Sequence, residues 1–191
     1  MRICIYGSSS PHLDPAYYEA GRALGTLMAR HGHSMVFGGG CEGLMGAVAM
    51  GLAAEGGHTI GIAPTFFKDK GVLWEGCSEF IWTETMNQRK EAMEAHADAF
   101  VMTPGGIGTL EEFFEVLTQK QLGLHNKPIA VLNTKGVFDD LAAQMEKYKE
   151  EKFINPTVQE IYRIFATPEE VVDYLESYDE NAIDVAHLKY I

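Results

Sequence analysis

Short apolar runs alternate with helix-length segments along the whole chain. "ICIY" (3–6) ends at Gly7 and predicts a buried strand. "DPAYYEAGRALGTLMARHG" predicts a helix with Asp14 as N-cap, Pro15 at the first helical position and Gly32 as the stop. "SMVF" (34–37) predicts a second strand running into Gly38-Gly39-Gly40. "GLMGAVAMGLAAEGG" is a helix of small residues able to pack closely on a sheet, and "TIGIA" (59–63) is a third strand. Residues 64–78, "PTFFKDKGVLWEGCS", carry no clear period. "EFIWT" (79–83) reads as a strand and "TMNQRKEAMEAHA" (85–97) as a helix, with Thr85 and Gln88 in capping-box spacing. "AFVMT" (99–103) is a strand, "TLEEFFEVLTQKQLG" (109–123) a helix and "PIAVLN" (128–133) a strand. A helix over about 137–150 follows, then "IYRIFAT" and "PEEVVDYLESY" as a last strand and helix. Residues 178–191 show little pattern and read as a tail behind a domain at 1–177.

Apolar strands separated by 10–15-residue helices are the mark of βαβ units. The pattern predicts a single Rossmann-like doubly wound α/β domain, with about seven mostly parallel strands flanked by helices. In such sheets ligands sit at the carboxyl ends of strands, where the strand order switches. Three strand ends carry candidate chemistry: "GSSS" after the first, "GGGCEG" after the second and "PGGIGT" after the fifth.

Composition narrows the partners. The 191 residues are 46% hydrophobic, which suits one well-buried domain. Net charge is −12, and no block of Lys or Arg stands out, which argues against nucleic acid and anionic membranes as partners. A bound phosphate must then be held locally, by backbone N–H groups and a few placed cations. Three cysteines, an odd number with no CxxC pair, argue against a disulfide framework and suit a reducing cytoplasm. "MRICIYGSSSPHLD" turns polar after six residues, too soon for a signal-peptide core, and no apolar run reaches the ~18 residues of a membrane span. A soluble cytoplasmic protein is expected.

"GGGCEG" contains Gly38, Gly40 and Gly43, a formal GxGxxG between strand and helix. The dinucleotide fingerprint also needs an acid at the end of the next strand, and "TIGIAPT" has none. That missing acid weakens an NAD(P) oxidoreductase, and the readings ahead of it are a tight turn with close helix–sheet packing, or a mononucleotide phosphate or sugar site. "PGGIGT" is more specific. Gly105, Gly106 and Gly108 let the backbone curl with N–H groups inward, and Thr109 opens a helix whose N-terminus favours an anion. No Lys follows the last glycine, so this is not a GxxxxGK(S/T) loop, which argues against triphosphate hydrolysis.

Two acids follow at once. Thr109 to Glu112 has capping-box spacing, so Glu112 has a structural role available, worth ~1 kcal/mol. It also has a chemical one. One turn inside the loop, it can reach the far side of a bound ribose 5-phosphate, and there stabilise a sugar cation or activate water. Arg89 falls on the inward stripe of its helix with Met86 and Met93, and Lys90 on the flank. An inward cation needs a partner: Glu111 or Glu112 in a salt bridge, or a ligand's hydroxyls, phosphate or base.

Other residues point to less. His31 and His33 at a helix end read as solvated, and no His, Cys or Asp cluster has zinc spacing. Ser8, Ser9 and Ser10 lack a nucleophile-elbow setting, although a serine such as Ser9 can touch a phosphate. Phe66, Phe67 and Trp74 are either core or a stacking cover for a base.

Together, "YGSSS", "GGGCEGLMG", "MNQRK" and "PGGIGTLEE" resemble the LOG ("lonely guy") family, cytokinin-activating nucleoside 5′-monophosphate phosphoribohydrolases long labelled possible lysine decarboxylases. The resemblance runs from about residue 2 to 175. It implies a homodimer or an assembly of dimers with the site at the subunit boundary. It implies hydrolysis of the N-glycosidic bond of adenine-type riboside 5′-monophosphates to free base and ribose 5-phosphate, with no metal and no cofactor. It places the catalytic pair on Arg89 and Glu112. Nucleotide contacts fall on Arg89, Lys90, Gly106, Ile107, Gly108, Thr109, Leu110, Glu111, Glu112 and Thr118, beside Ser9 and Gly105 read from the loops. Plant-type members carry a glutamate before the "RK" helix. "FFKDKGVLWEGCSEF" does not align cleanly there, and Glu75 is the candidate. The rival to an enzyme is a nucleotide sensor or carrier without chemistry, which needs the glycine loops but neither Glu112 nor the inward Arg89.

Overall fold

One parallel sheet organises the computed structural model, which describes residues 1–181; the expected tail lies outside the described residues from position 182. The strands are β1 (Arg2–Tyr6), β2 (Ser34–Phe37), β3 (Thr59–Pro64), β4 (Glu79–Thr83), β5 (Ala99–Met102), β6 (Ile129–Leu132) and β7 (Arg163–Phe165). The helices are α1 (Pro15–Arg30), α2 (Gly43–Ala54), α3 (Met86–His96), α4 (Ile107–Gln121), α5 (Asp139–Glu150) and α6 (Pro168–Ser177). The strand order is β4-β3-β2-β1-β5-β6-β7, parallel throughout.

Period-2 alternation sends successive strand residues to opposite faces. Ile3 and Ile5 pack with Leu24 of α1, Val48 of α2 and Val172 of α6. Cys4 and Tyr6 face the other layer, with Met93 of α3, Phe113 of α4 and Met145 of α5. The domain is therefore doubly wound, as the alternation predicts. The chain leaves β1 through β2, β3 and β4, then returns to lay β5 on the free edge of β1. That reversal opens a crevice at the carboxyl ends of β1 and β5. Among the described residues no helix is long and apolar enough to cross a membrane.

Helix starts follow the expected chemistry with two exceptions. Asp14 caps α1 by accepting from the Ala16 N–H at 2.9 Å, and Thr85 caps α3 by accepting from the Gln88 N–H at 3.2 Å. The Gln88 side chain returns to the Glu84 N–H at 2.9 Å, one residue short of a reciprocal box. The larger exception, at α4, belongs to the site.

Two expectations are corrected by packing, and one segment without a pattern gains its order from it. His33 is buried rather than solvated, because α6 covers the end of α1 and brings Glu176 to 3.0 Å from its Nε2. Met86 is exposed rather than inward, because it stands in the first turn of α3 at the mouth of a cavity. Residues 64–78, which lack a period, are ordered by tertiary pairing. The Cys41 N–H reaches the Val72 carbonyl at 3.1 Å and the Trp74 N–H reaches the Gly39 carbonyl at 2.8 Å. This strap is stitched across the glycine loop after β2, with Leu73 bridged to Gly40.

Candidate active site

The three glycine- or serine-bearing strand ends meet at the switch point. The Thr103 hydroxyl donates to the Tyr6 carbonyl at 2.9 Å, closing the ends of β5 and β1 together. The Ser8 N–H donates to the Pro104 carbonyl at 3.0 Å, and the Ser8 carbonyl accepts from the Leu44 N–H at 2.8 Å. The loop after β1 is thus held between the loop before α4 and the first turn of α2.

The helix α4 starts at Ile107 with Gly106 as N-cap, two residues earlier than the sequence suggests. The expected capping box is therefore absent. Thr109 is the third helical residue and Glu112 the sixth, and no side chain caps the helix. Thr109 turns inward, 4% exposed, with its hydroxyl packed on the loop: a Cβ on Gly105 would stand 2.1 Å from Thr109 Oγ1. Above Gly106 and Gly108, by contrast, a Cβ would meet nothing within 4 Å. Uncapped N–H groups at a helix N-terminus, flanked by glycines with no side chain to cover them, suit an anion.

Freed from capping, Glu112 does something else. Its Oε1 lies 3.1 Å from Arg89 Nη1, and the two side chains are 12% and 11% exposed. Arg89 Nε donates to the Ile62 carbonyl at 3.3 Å, so the guanidinium is tied to the end of β3. Burial lifts the Glu112 carboxyl above its ordinary pKa, while the nearby Arg89 cation pulls the other way and Glu111 adds to the rise. Glu111 itself is exposed and pairs with Lys90, at 2.5 Å, and Lys90 also holds Glu115 at 2.7 Å. Those two bonds raise the Lys90 ammonium well above its usual value. The paired acids are thereby sorted: Glu111 is bound at the surface and Glu112 is largely enclosed beside Arg89.

Arg89 also forms part of the wall of a cavity of about 330 Å³. Ser9 and Glu42 supply its other polar side chains. Met45, Phe67, Val72, Leu73 and Met86 make the rest of the wall apolar. A cavity with a polar end at Arg89, which Glu112 links to the start of α4, and an otherwise apolar body suits a ligand with a phosphate and a flat, weakly polar group.

The expected residues divide accordingly. Ser9 and Arg89 line the cavity, Glu112 joins it through Arg89, and Gly105 and Thr109 pack beside Ser8, while Gly106 and Gly108 stand at the open start of α4 and none of residues 103–112 forms the cavity wall. Ile107 projects outward, 90% exposed, and Leu110 packs against the core. Lys90 and Glu111 occupy the outer seam between α3 and α4. Thr118 stands on the exposed side of α4, away from the cavity wall. Of the three aromatics, Phe67 lines the cavity, Phe66 leans on it at a centroid distance of 4.6 Å, and Trp74 joins the core. Glu75 lies by a different hollow, with Lys68 and Trp82. Glu42, Met45, Val72 and Leu73 escaped the sequence reading as wall residues. The first two lie inside "GGGCEGLMG" and could have been found there; the last two carry no local signal.

A family model described as possible lysine decarboxylase matches residues 45–175. The cytokinin riboside 5′-monophosphate phosphoribohydrolase LOG3 of Arabidopsis thaliana is 40% identical over 177 residues, spanning 93% of this chain and 82% of that protein. LOG1 of the same plant, with the same activity in its name, is 38% identical over 93% of this chain and 83% of its own length. Among solved structures, the molybdenum cofactor binding protein of the phototrophic bacterium Rippkaea orientalis superposes with a TM-score of 0.71, covering 92% of this chain and 96% of that one. At 22% identity that likeness shows the fold alone.

Proposed function

The chain belongs to the LOG family, and on that premise we propose that it is a nucleoside 5′-monophosphate phosphoribohydrolase acting on adenine-type nucleotides, prenylated or not. Water adds at C1′, the N-glycosidic bond breaks, and the products are free base and ribose 5-phosphate. The observation that carries the reading is the Arg89–Glu112 pair, buried between the cavity wall and the uncapped start of α4.

Each group has a task. The N–H groups at Gly106 to Gly108 and the Thr109 hydroxyl hold the phosphate. Arg89 orients the sugar and the departing base from the cavity wall. Glu112 stabilises the oxocarbenium-like sugar or takes a proton from the attacking water, and its raised pKa brings it closer to the operating pH of a base. The phosphate loop thus carries its own acid because the cation to be stabilised forms at the opposite end of the ribose.

The family description also raises lysine decarboxylation, which needs pyridoxal phosphate on a lysine. The cavity wall holds no lysine among the described residues. The buried Lys120 is engaged elsewhere, by the Lys127 carbonyl at 2.8 Å and the Tyr178 hydroxyl at 2.7 Å. These residues do not fit that cofactor.

A homodimer, or an assembly of dimers, is part of the proposal. Thr118 shares the outer side of α4 with exposed Ile107, Phe114 and Leu122, an apolar face suited to a second copy. Sedimentation of the purified protein tests it, and a strict monomer would remove this part.

The direct test incubates the protein with AMP and with isopentenyladenosine 5′-monophosphate and looks for free base and ribose 5-phosphate. Release from either supports the proposal. Binding of both without cleavage favours a nucleotide sensor or carrier.

A further inference from the structure

We propose that Gly38 is a positioning residue, whose missing side chain forms the socket that holds the Arg89 guanidinium against Glu112. Gly38 opens the glycine triplet at the end of β2. A glycine is required where φ is positive, where a ligand approaches the backbone, or where another group packs too closely for a Cβ. Positive φ falls on Gly39 and Gly43 in this loop, not on Gly38. Gly38 also lines the cavity, but the atoms that leave no room for a side chain there are the protein's own.

That space belongs to Arg89. A Cβ on Gly38 would lie 2.1 Å from Arg89 Nη2, 3.1 Å from Cζ and 3.3 Å from Nε, its three nearest neighbours. The other triplet glycines face different atoms: a Cβ on Gly39 would meet the Phe80 ring at 2.6 Å, and on Gly40 only the Val72 carbonyl, at 4.0 Å. The guanidinium is thus fixed by the Ile62 carbonyl on Nε, Glu112 on Nη1 and the bare backbone of Gly38 beside Nη2. The atoms in conflict are the far end of a flexible side chain. An alanine at 38 therefore displaces Arg89 and leaves β2 paired with β1 and β3.

The inference rests on the proposed hydrolysis only for its kinetic arm. Gly38→Ala is expected to fold and to melt as the wild type does. It is expected to lose about 100-fold in hydrolysis, mostly in kcat, as misplaced catalytic groups do. In an Arg89→Ala background the same substitution should cost less than about 2-fold, since the group it displaces is gone. The second arm needs no activity: the Glu112 carboxyl, followed by carbon-13 NMR and identified by its loss in Glu112→Gln, should titrate about one unit or more higher in Gly38→Ala. Equal kinetic losses in both backgrounds, or an unmoved Glu112 titration in the folded variant, would overturn the socket. Should Gly38→Ala fail to fold, folding of the Gly38→Ala/Arg89→Ala double variant would support the clash, and failure of both would overturn it. A protein with no hydrolytic activity would sink the proposed function while the NMR arm still decides the role of Gly38.

Discussion

Arg89 Nη1 lies 3.1 Å from Glu112 Oε1, with both side chains nearly enclosed between α3 and α4. On the proposed function, the pair does its work at a cost in stability. Burial raises the Glu112 pKa in spite of the cation beside it. A carboxyl with a raised folded pKa contributes stability below its ordinary value of 4.5 and loses it as pH climbs through the raised value. Glu112→Gln imitates the protonated acid. Its melting temperature relative to wild type should therefore improve between pH 4 and pH 7, while base release falls by about 10²- to 10⁴-fold. A folded Glu112→Gln enzyme with full activity would refute the catalytic role, and a relative stability that worsens with pH would refute the burial argument.

Gly108 is the second residue of α4, and a Cβ there meets nothing within 4 Å. Alanine is the better helix former by roughly 0.5–1 kcal/mol. The open space above it is, on the proposed function, where the phosphate sits. Gly108→Ala should therefore raise the melting temperature and at the same time raise KM for the nucleotide. A stabilised variant with unchanged KM would move the phosphate away from this loop.

The sheet and its helices were legible because the central strands β1, β2, β3, β5 and β6 are short apolar runs, and their burial on both faces leaves few other ways to pair them. The loops of the candidate site were legible because they end β1, β2 and β5, and the Arg89–Glu112 contact is one of the two ion pairs that the inward stripe of α3 allowed. The capping box was misread because Thr109 has the right spacing to Glu112, while Gly106 starts the helix without any side chain. Local spacing could not reveal that. His33 was misread because its cover, Glu176, is supplied by α6 from the far end of the chain. Residues 64–78 had no readable pattern because their order comes from bonds to Gly39 and Cys41, not from their own periodicity.

Phe67, Val72 and Leu73 place that strap over the apolar part of the cavity. Removing the Phe67 ring takes away contact area that substrate and transition state share, which raises KM more than it lowers kcat. Phe67→Ala should raise KM for isopentenyladenosine 5′-monophosphate by about 10-fold, within the range for lost apolar contacts, and change AMP less. Equal shifts for both nucleotides would place the prenyl group outside this wall.

Lys120 lies on the buried face of α4 near its C-terminal end, and it titrates in its own window. Its side chain is fully buried, with Nζ bonded to the Lys127 carbonyl and the Tyr178 hydroxyl and 4.6 Å from the Tyr178 ring centre. Burial lowers its pKa from 10.5 to about 7, with Glu180 opposing. A group with a depressed folded pKa contributes its full stability above the unfolded value and loses it as pH falls through the folded one. Wild-type stability should thus gain on Lys120→Met as pH rises from about 7 towards 10, by up to about 1.4 kcal/mol for each unit. The two lost hydrogen bonds shift the variant's curve as a whole, so the slope of the difference is the diagnostic quantity. Thermal melts of both proteins from pH 6 to 10 measure it, and parallel curves would mean that Lys120 stays charged in the folded protein across the whole range.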